Sequence, residues 1–299
     1  MPGLAWFIRG VTLVLAVGFV VVHDGHPPGV GVALCTLALG VPHGAADHLL
    51  FRAGHPAWDD RHTMLRFSLY YALLVGAYAL LWRVFPVMSL LLFLLVSAYH
   101  FGQEQLAASP RGTGKLHAIL WGGFVLSFPL LCHYEEARPI IEQMVRRELP
   151  LLTTPQRSAA LIGLLAVNAY FILRSHAEAR TAAERLQWRR SLLDLLLLSA
   201  LYLSTNLLLG FSLFFLLWHS LPAAVSQWRY LQRQQLTTDL RQYLYQLGPL
   251  SLGAALGFVL FYHYWPTDPG AGLDLGPVFI FVSLITLPHA LLMDAVYRR

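Results

Sequence analysis

The chain has 299 residues, 57% of them hydrophobic and only 12% charged, with a mean hydropathy of +0.55. Ordinary globular chains carry about 25% charged residues, so a water-soluble protein is excluded and a membrane-embedded one expected. The formal net charge of +5 does not mark a nucleic-acid-binding face, because the 20 arginines and one lysine fall in short clusters between apolar runs, the pattern of membrane topology.

The first apolar run, Leu4 to Val22, holds its one basic residue, Arg9, inside it and has no small-residue cleavage site before His23. It is expected to be a retained span rather than a signal peptide. Further runs predict spans at 29–50, 65–84, 86–107, 115–134, 157–174, 190–209, 211–229, 245–265 and 275–296, parted by turn-rich stretches such as HDGHPP, ASPRGTG and PTDPGAG. The 29–50 run ends in His and Asp, and 157–174 is short with polar flanks, so either would also suit a re-entrant helix. The expected fold is all-α: a polytopic integral membrane helical bundle of about eight to ten transmembrane helices. At about 20 residues per crossing, ten spans would use about 200 residues and leave about 99 for loops and tails, which predicts a single membrane-embedded domain over residues 1–299.

Fifteen basic residues fall in the even-numbered connections and the C-terminal tail, and five in the odd-numbered ones. Both termini and the loop AGHPAWDDRH are therefore expected on the cytoplasmic side of the cell membrane. The two cysteines, Cys35 and Cys132, lie in apolar runs and cannot build a disulfide framework or a thiolate metal site.

The thirteen histidines are more informative. An ionisable side chain within a span is costly, and so marks a functional position unless it is locally hydrogen-bonded. His43 lies 14 residues into its span from Gly29, His100 lies 14 from Pro86, His219 lies 9 from Gly210 and His289 lies 14 from Leu275. At 1.5 Å per residue, 14 residues correspond to about 21 Å, and all four spans run in the same direction. Three of the imidazoles coincide in depth and His219 sits about one and a half turns shallower. The four are expected to meet in one layer as a metal or cofactor site, because neutral imidazole is the commonest metal ligand and helical bundles build sites from facing helices. His133 and His263 fall at outer span ends, and His117 at an inner one.

His43 is followed at i+4 by Asp47, and His100 at i+4 by Glu104, so each imidazole has a carboxylate on its own helix face that can hold its second ring N–H or itself ligate. Pro42, Pro222 and Pro288 flank three of the histidines and are expected to open kinks. Tyr99, Phe101, Phe215 and Trp218 are the candidate aromatic lining, suited to a long hydrocarbon substrate drawn from the bilayer. Without thiolates or several carboxylates, iron–sulfur clusters, Mg²⁺ and Ca²⁺ are disfavoured, leaving iron, copper, zinc or manganese. A site deep in hydrocarbon suits O₂ better than hydrolytic water, which points to a redox metal.

VPHGAADH (41–48), YHFG (99–102), WHS (218–220) and LPHALLMD (287–294), in this order in a polytopic chain, resemble the Brp/Blh family of bacterial β-carotene 15,15′-dioxygenases. The resemblance runs from about Gly40 to Asp294. It implies an Fe²⁺-dependent membrane enzyme that cleaves the central double bond of β-carotene or a related carotenoid with O₂, giving retinal that commonly serves a microbial rhodopsin. It also implies that His43, His100 and His219 are iron ligands. Where the family has a further ligand histidine, four residues after that of WHS, this chain has Ala223; His289 is expected to complete the set.

Two other classes use intramembrane histidines. A proton or metal-ion transporter would need polar residues leading to both faces, and Asn168, Asp194, Asn206 and Asp274 are sparse for that. A bis-histidine haem protein would need histidines facing each other across a haem.

Overall fold

The computed structural model describes residues 2–22, 31, 44–55, 60–106, 115–265 and 274–297, and among these there is no strand. In chain order the helices are α1 (Pro2–Val22), α2 (Asp47–Ala53), α3 (Asp60–Val84), α4 (Pro86–Leu106), α5 (Lys115–Cys132), α6 (Tyr134–Val145), α7 (Thr154–Glu178) and α8 (Ala182–Ser204). They are followed by α9 (Leu207–Leu213), a π-helix π1 (Phe214–Ser220), α10 (Leu221–Arg233), α11 (Leu240–Tyr264) and α12 (Leu275–Tyr297).

Seven stretches among the described residues are long and apolar enough to cross a membrane: Arg61–Val84, Pro86–Gln103, Lys115–Cys132, Thr154–Glu178, Leu207–Arg233, Leu240–Tyr264 and Leu275–Ala295. The first apolar helix contributes the shorter Gly3–Gly18. The 29–50 candidate lies mostly outside the described residues. α8 covers most of the 190–209 candidate; its N-terminal half carries Glu184, Arg185, Arg189 and Arg190, and Asp194 follows just past its midpoint.

One boundary differs from expectation. The break between the seventh and eighth candidates, placed at Gly210, falls instead at Thr205–Asn206. Ser204, Thr205 and Asn206 interrupt the apolar run here, and the Asn206 side chain makes the break by accepting from Leu209 N–H at 2.8 Å, capping a new helix. His219 thus lies 12 residues from its helix start at Leu207, closer to the 14 of the other histidines. The helices of His100 and His289 begin at Pro86 and Leu275, as expected.

The chain divides into two compact units, each discontinuous in sequence: Met1–Thr36, Ala98–Arg138 and Leu149–His219 form one, and Leu37–Ser97, Pro139–Glu148 and Ser220–Arg299 the other.

In the first unit, α4 and α5 cross at their backbones. A Cβ on Gly102 would overlap the carbonyl of Ala118, and one on Gly122 would overlap the carbonyl of Ala98. Ala98 and Gly102, like Ala118 and Gly122, are four residues apart, so each helix presents a small-xxx-small stripe, the pattern that lets membrane helices approach closely. The crossing bears directly on His100, which lies between Ala98 and Gly102. Gly122→Ala is expected to destabilise the protein by about 3 kcal/mol, at the upper end of overpacking costs, because the obstacle is backbone and not a movable side chain. Gly123→Ala, whose Cβ would meet nothing within 4 Å, is the neutral control for thermal unfolding in detergent.

In the second unit, Tyr78 and Trp82 of α3 pack with Ile280 and Leu284 of α12 and with Met144. Trp82 donates its indole N–H to Ser283 Oγ at 2.8 Å, and Tyr78 its hydroxyl to the Ser89 carbonyl at 2.8 Å, so the polar atoms of these large buried rings are paired. Another cluster joins Ala46, Leu49 and Leu50 to Leu231 of α10, Tyr243 and Leu247 of α11, and Met293 of α12. That cluster seats the start of α2 against α12.

Candidate metal centre

His100 on α4 and His219 on π1 meet in the first unit. Each is 3% exposed, and their ring centroids are 5.2 Å apart with planes at 82°. Local chemistry explains the wide turn that carries His219. Pro222, in the first turn of α10, has no N–H to close an α-turn onto the Trp218 carbonyl, and its ring would crowd that carbonyl. The disruption expected at Pro222 is realised as the π-helix Phe214–Ser220 just before it, a geometry that recurs at functional sites.

Aromatic rings wall this pair. Phe101 lies 4.6 Å and Phe215 5.4 Å from the His219 ring, and Phe101 stands edge-on to Phe214 at 5.6 Å. Phe211 stacks on Phe215 at 6.1 Å. Trp218 is buried, with its indole N–H donated to Thr12 Oγ1 at 2.9 Å. Tyr99 is half-buried, and its hydroxyl accepts from Gln103 at 3.4 Å.

The pair fits a shared metal. With metal–nitrogen distances of about 2.0–2.1 Å, two imidazoles on one ion have centroids about 4.5 Å apart at a right angle, about 5.2 Å at a tetrahedral angle and about 6.4 Å when opposed. The observed 5.2 Å matches adjacent positions on one ion and is too short for imidazoles on opposite faces of a haem.

The second unit holds His289 and Asp47. His289 Nδ1–H donates to Asp47 Oδ1 at 2.7 Å, and the Tyr71 hydroxyl donates to Asp47 Oδ2. Asp47 is 1% exposed and His289 6%. A carboxylate only accepts, so Nδ1 carries a proton; in the neutral ring this leaves the lone pair on Nε2, the tautomer that ligates through Nε2. Asp47 was expected to serve His43 one turn before it, and His43 lies outside the described residues; among the described residues its bonds go to α12 and α3. Tyr71 was not singled out from the sequence, where it is one aromatic among many in an apolar run. A Cβ on Gly44 would lie 4.0 Å from His289 Nδ1, so the backbone next to His43 in sequence is beside His289.

His43 and the side chain of Glu104 lie outside the described residues. Among the described residues, no three of His, Cys, Asp or Glu are grouped so as to hold a metal ion. Ala223 is buried on α10.

Several other intramembrane polar residues among the described ones have structural partners. Asp194 binds Arg9 through two bonds of 2.6 and 2.7 Å, and Asn168 donates to the carbonyls of Leu120 and Leu164. His133 bonds the Tyr202 carbonyl at 2.7 Å, and His117 stacks on Trp188 at 5.4 Å. The pairing of Arg9 with Asp194 explains the lone charge in the first span, and opposite charges in two separate spans were its only sequence signal.

Comparison with known proteins bears on this arrangement. A protein from an uncultured marine bacterium, 66A03, named beta-carotene 15,15′-dioxygenase, is 27% identical over 268 residues, covering 88% of this chain and 94% of its own length. A protein of Halobacterium salinarum, named probable beta-carotene 15,15′-dioxygenase Blh, is 23% identical over 314 aligned residues, covering 92% of this chain and 89% of its own. No solved structure matches. The family model for beta-carotene 15,15′-dioxygenase matches residues 34–297, nearly the whole of the membrane-embedded chain and every motif noted above, and the chain belongs to that family.

Proposed function

We propose that this chain cleaves the central double bond of β-carotene, or of a closely related carotenoid, with O₂ to give two molecules of retinal. The observation that carries this reading is the buried His100–His219 pair inside an aromatic wall. Both relatives bear names of that activity. The reaction balances without further reactants: one C=C bond breaks, and each of its carbons takes one oxygen atom of O₂ as an aldehyde.

His100 and His219 would hold Fe²⁺, with His43 and His289 as the ligands added by the sequence argument. Iron so held supplies the redox partner through which O₂ reacts with a closed-shell polyene. The protein's own share is positional. Phe101, Phe214 and Phe215 exclude water and offer ring faces and edges to a conjugated chain, while Asp47 holds the His289 proton at Nδ1. Asp194, one of the residues a transport path would need, is tied to Arg9, which favours an enzyme over a relay. The charge asymmetry supports a cell-membrane protein with both termini cytoplasmic, and a microbial rhodopsin is a fitting acceptor of the retinal.

Cells making β-carotene should lose their orange colour and accumulate retinal when this chain is expressed aerobically, as read by pigment extraction and chromatography. Unchanged pigment without retinal would overturn the reading, and cleavage of a different carotenoid would change only the substrate. Purified protein should lack the intense Soret band that a haem would give.

A further inference from the structure

The family match begins at residue 34, so α1 lies outside it, yet α1 is tied to the turn that carries His219. Ile8, Arg9, Thr12 and Ala16 are buried along one face of α1, whereas Leu13, Val14 and Val17 are exposed. The Arg9 guanidinium meets both carboxylate oxygens of Asp194 on α8, a two-pronged bond between buried charges that sets the depth and rotation of α1. One turn on, Thr12 donates its hydroxyl to the Ile8 carbonyl at 2.8 Å, which leaves its oxygen lone pairs to accept the Trp218 indole N–H at 2.9 Å. Donors and acceptors are thereby matched in a setting without water to replace them.

Trp218 immediately precedes His219 within π1. A π-helical turn is rare and needs support from its surroundings. An indole anchored at its far end supplies that support, because relaxation of the turn toward α-helical register would swing the ring off Thr12. We propose that Thr12 is a positioning residue for the metal site: by holding Trp218 it maintains the π-helical register that aims His219. This rests on the reading of His219 as an iron ligand.

The test uses the full-length, iron-loaded enzyme in detergent, measuring iron affinity and the electron paramagnetic resonance spectrum of its nitric oxide adduct. Thr12→Val and Trp218→Phe, which remove one hydrogen bond from opposite ends, are each expected to weaken iron binding about 10–100-fold, as loss of a ligand-orienting contact does, and to shift the spectrum. Thr12→Ser should restore both, and the Thr12→Val/Trp218→Phe double variant should be no worse than either single one. Wild-type affinity and spectrum in Thr12→Val, failure of Thr12→Ser to rescue, or additive losses in the double variant would overturn the proposal. If Thr12→Val does not fold, Trp218→Phe decides by the same readouts. His219→Ala, run beside them, separates the two ideas. Loss of iron there with normal iron in Thr12→Val removes only the role of Thr12, whereas normal iron in His219→Ala removes the ligand reading itself.

Discussion

Alanine at His100 or at His219 is expected to abolish retinal formation and to strip the iron from the purified protein. Both imidazoles are buried, and their 5.2 Å separation matches two ligands in adjacent positions on one ion. Losing a direct ligand should exceed the roughly 10–100-fold loss of affinity typical of a residue that only orients a ligand. Alanine also leaves a void beside Phe101 and Phe215, so phenylalanine at each position is the companion variant: it restores aromatic bulk without a ligating nitrogen. Iron per polypeptide and retinal yield in β-carotene-producing cells are the measurements. Retention of normal iron and activity by the phenylalanine variants would remove both residues from the metal site.

His289→Ala is expected to lose iron as well, and Asp47→Asn to lose a smaller share of it. The bond from His289 Nδ1 to Asp47 holds the imidazole in the tautomer with its lone pair on Nε2, and the Tyr71 hydroxyl secures the other carboxylate oxygen. Asparagine at 47 has one accepting oxygen and one N–H donor group, so it can still bond the Tyr71 hydroxyl in the reversed sense or meet the Nδ1 lone pair of the other tautomer, and it no longer fixes the His289 proton at Nδ1 as a carboxylate does. Ala223→His tests the same point from the position where the family resemblance implies a histidine. If His289 already supplies the fourth imidazole, a histidine at the buried Ala223 should leave iron affinity unchanged or lower it by crowding. If the site has only three imidazoles, His289→Ala should keep its iron and Ala223→His should bind it more tightly. Iron content of the three variants, purified identically beside wild type, discriminates between these outcomes.

Membrane embedding and the all-helical fold were legible from composition and run length, because covering about 30 Å of hydrocarbon demands long apolar helices whatever their arrangement. The helix starts at Pro86 and Leu275 were legible too, and with them the depths of His100 and His289, since rise per residue is a property of the helix itself. Spacing within one helix is short-range information that the chain carries locally. The break expected at Gly210 is made instead by the polar stretch 204–206, with Asn206 as the capping residue, so the signal lay in local capping chemistry rather than in the glycine.

Partnerships between helices were decided only in three dimensions. Asp47 bonds Tyr71 and His289, which are 24 and 242 residues away, partners that no spacing within its own helix points to. Arg9 finds Asp194 across 185 residues, and Trp218 finds Thr12 across 206. Depth along a helix follows from counting residues, but the direction a side chain faces depends on the rotation of its helix. Here that rotation is set by the glycine-lined crossing of α4 with α5 and by the π-turn before Pro222, where packing of many side chains at once, rather than any local spacing, selects which faces meet.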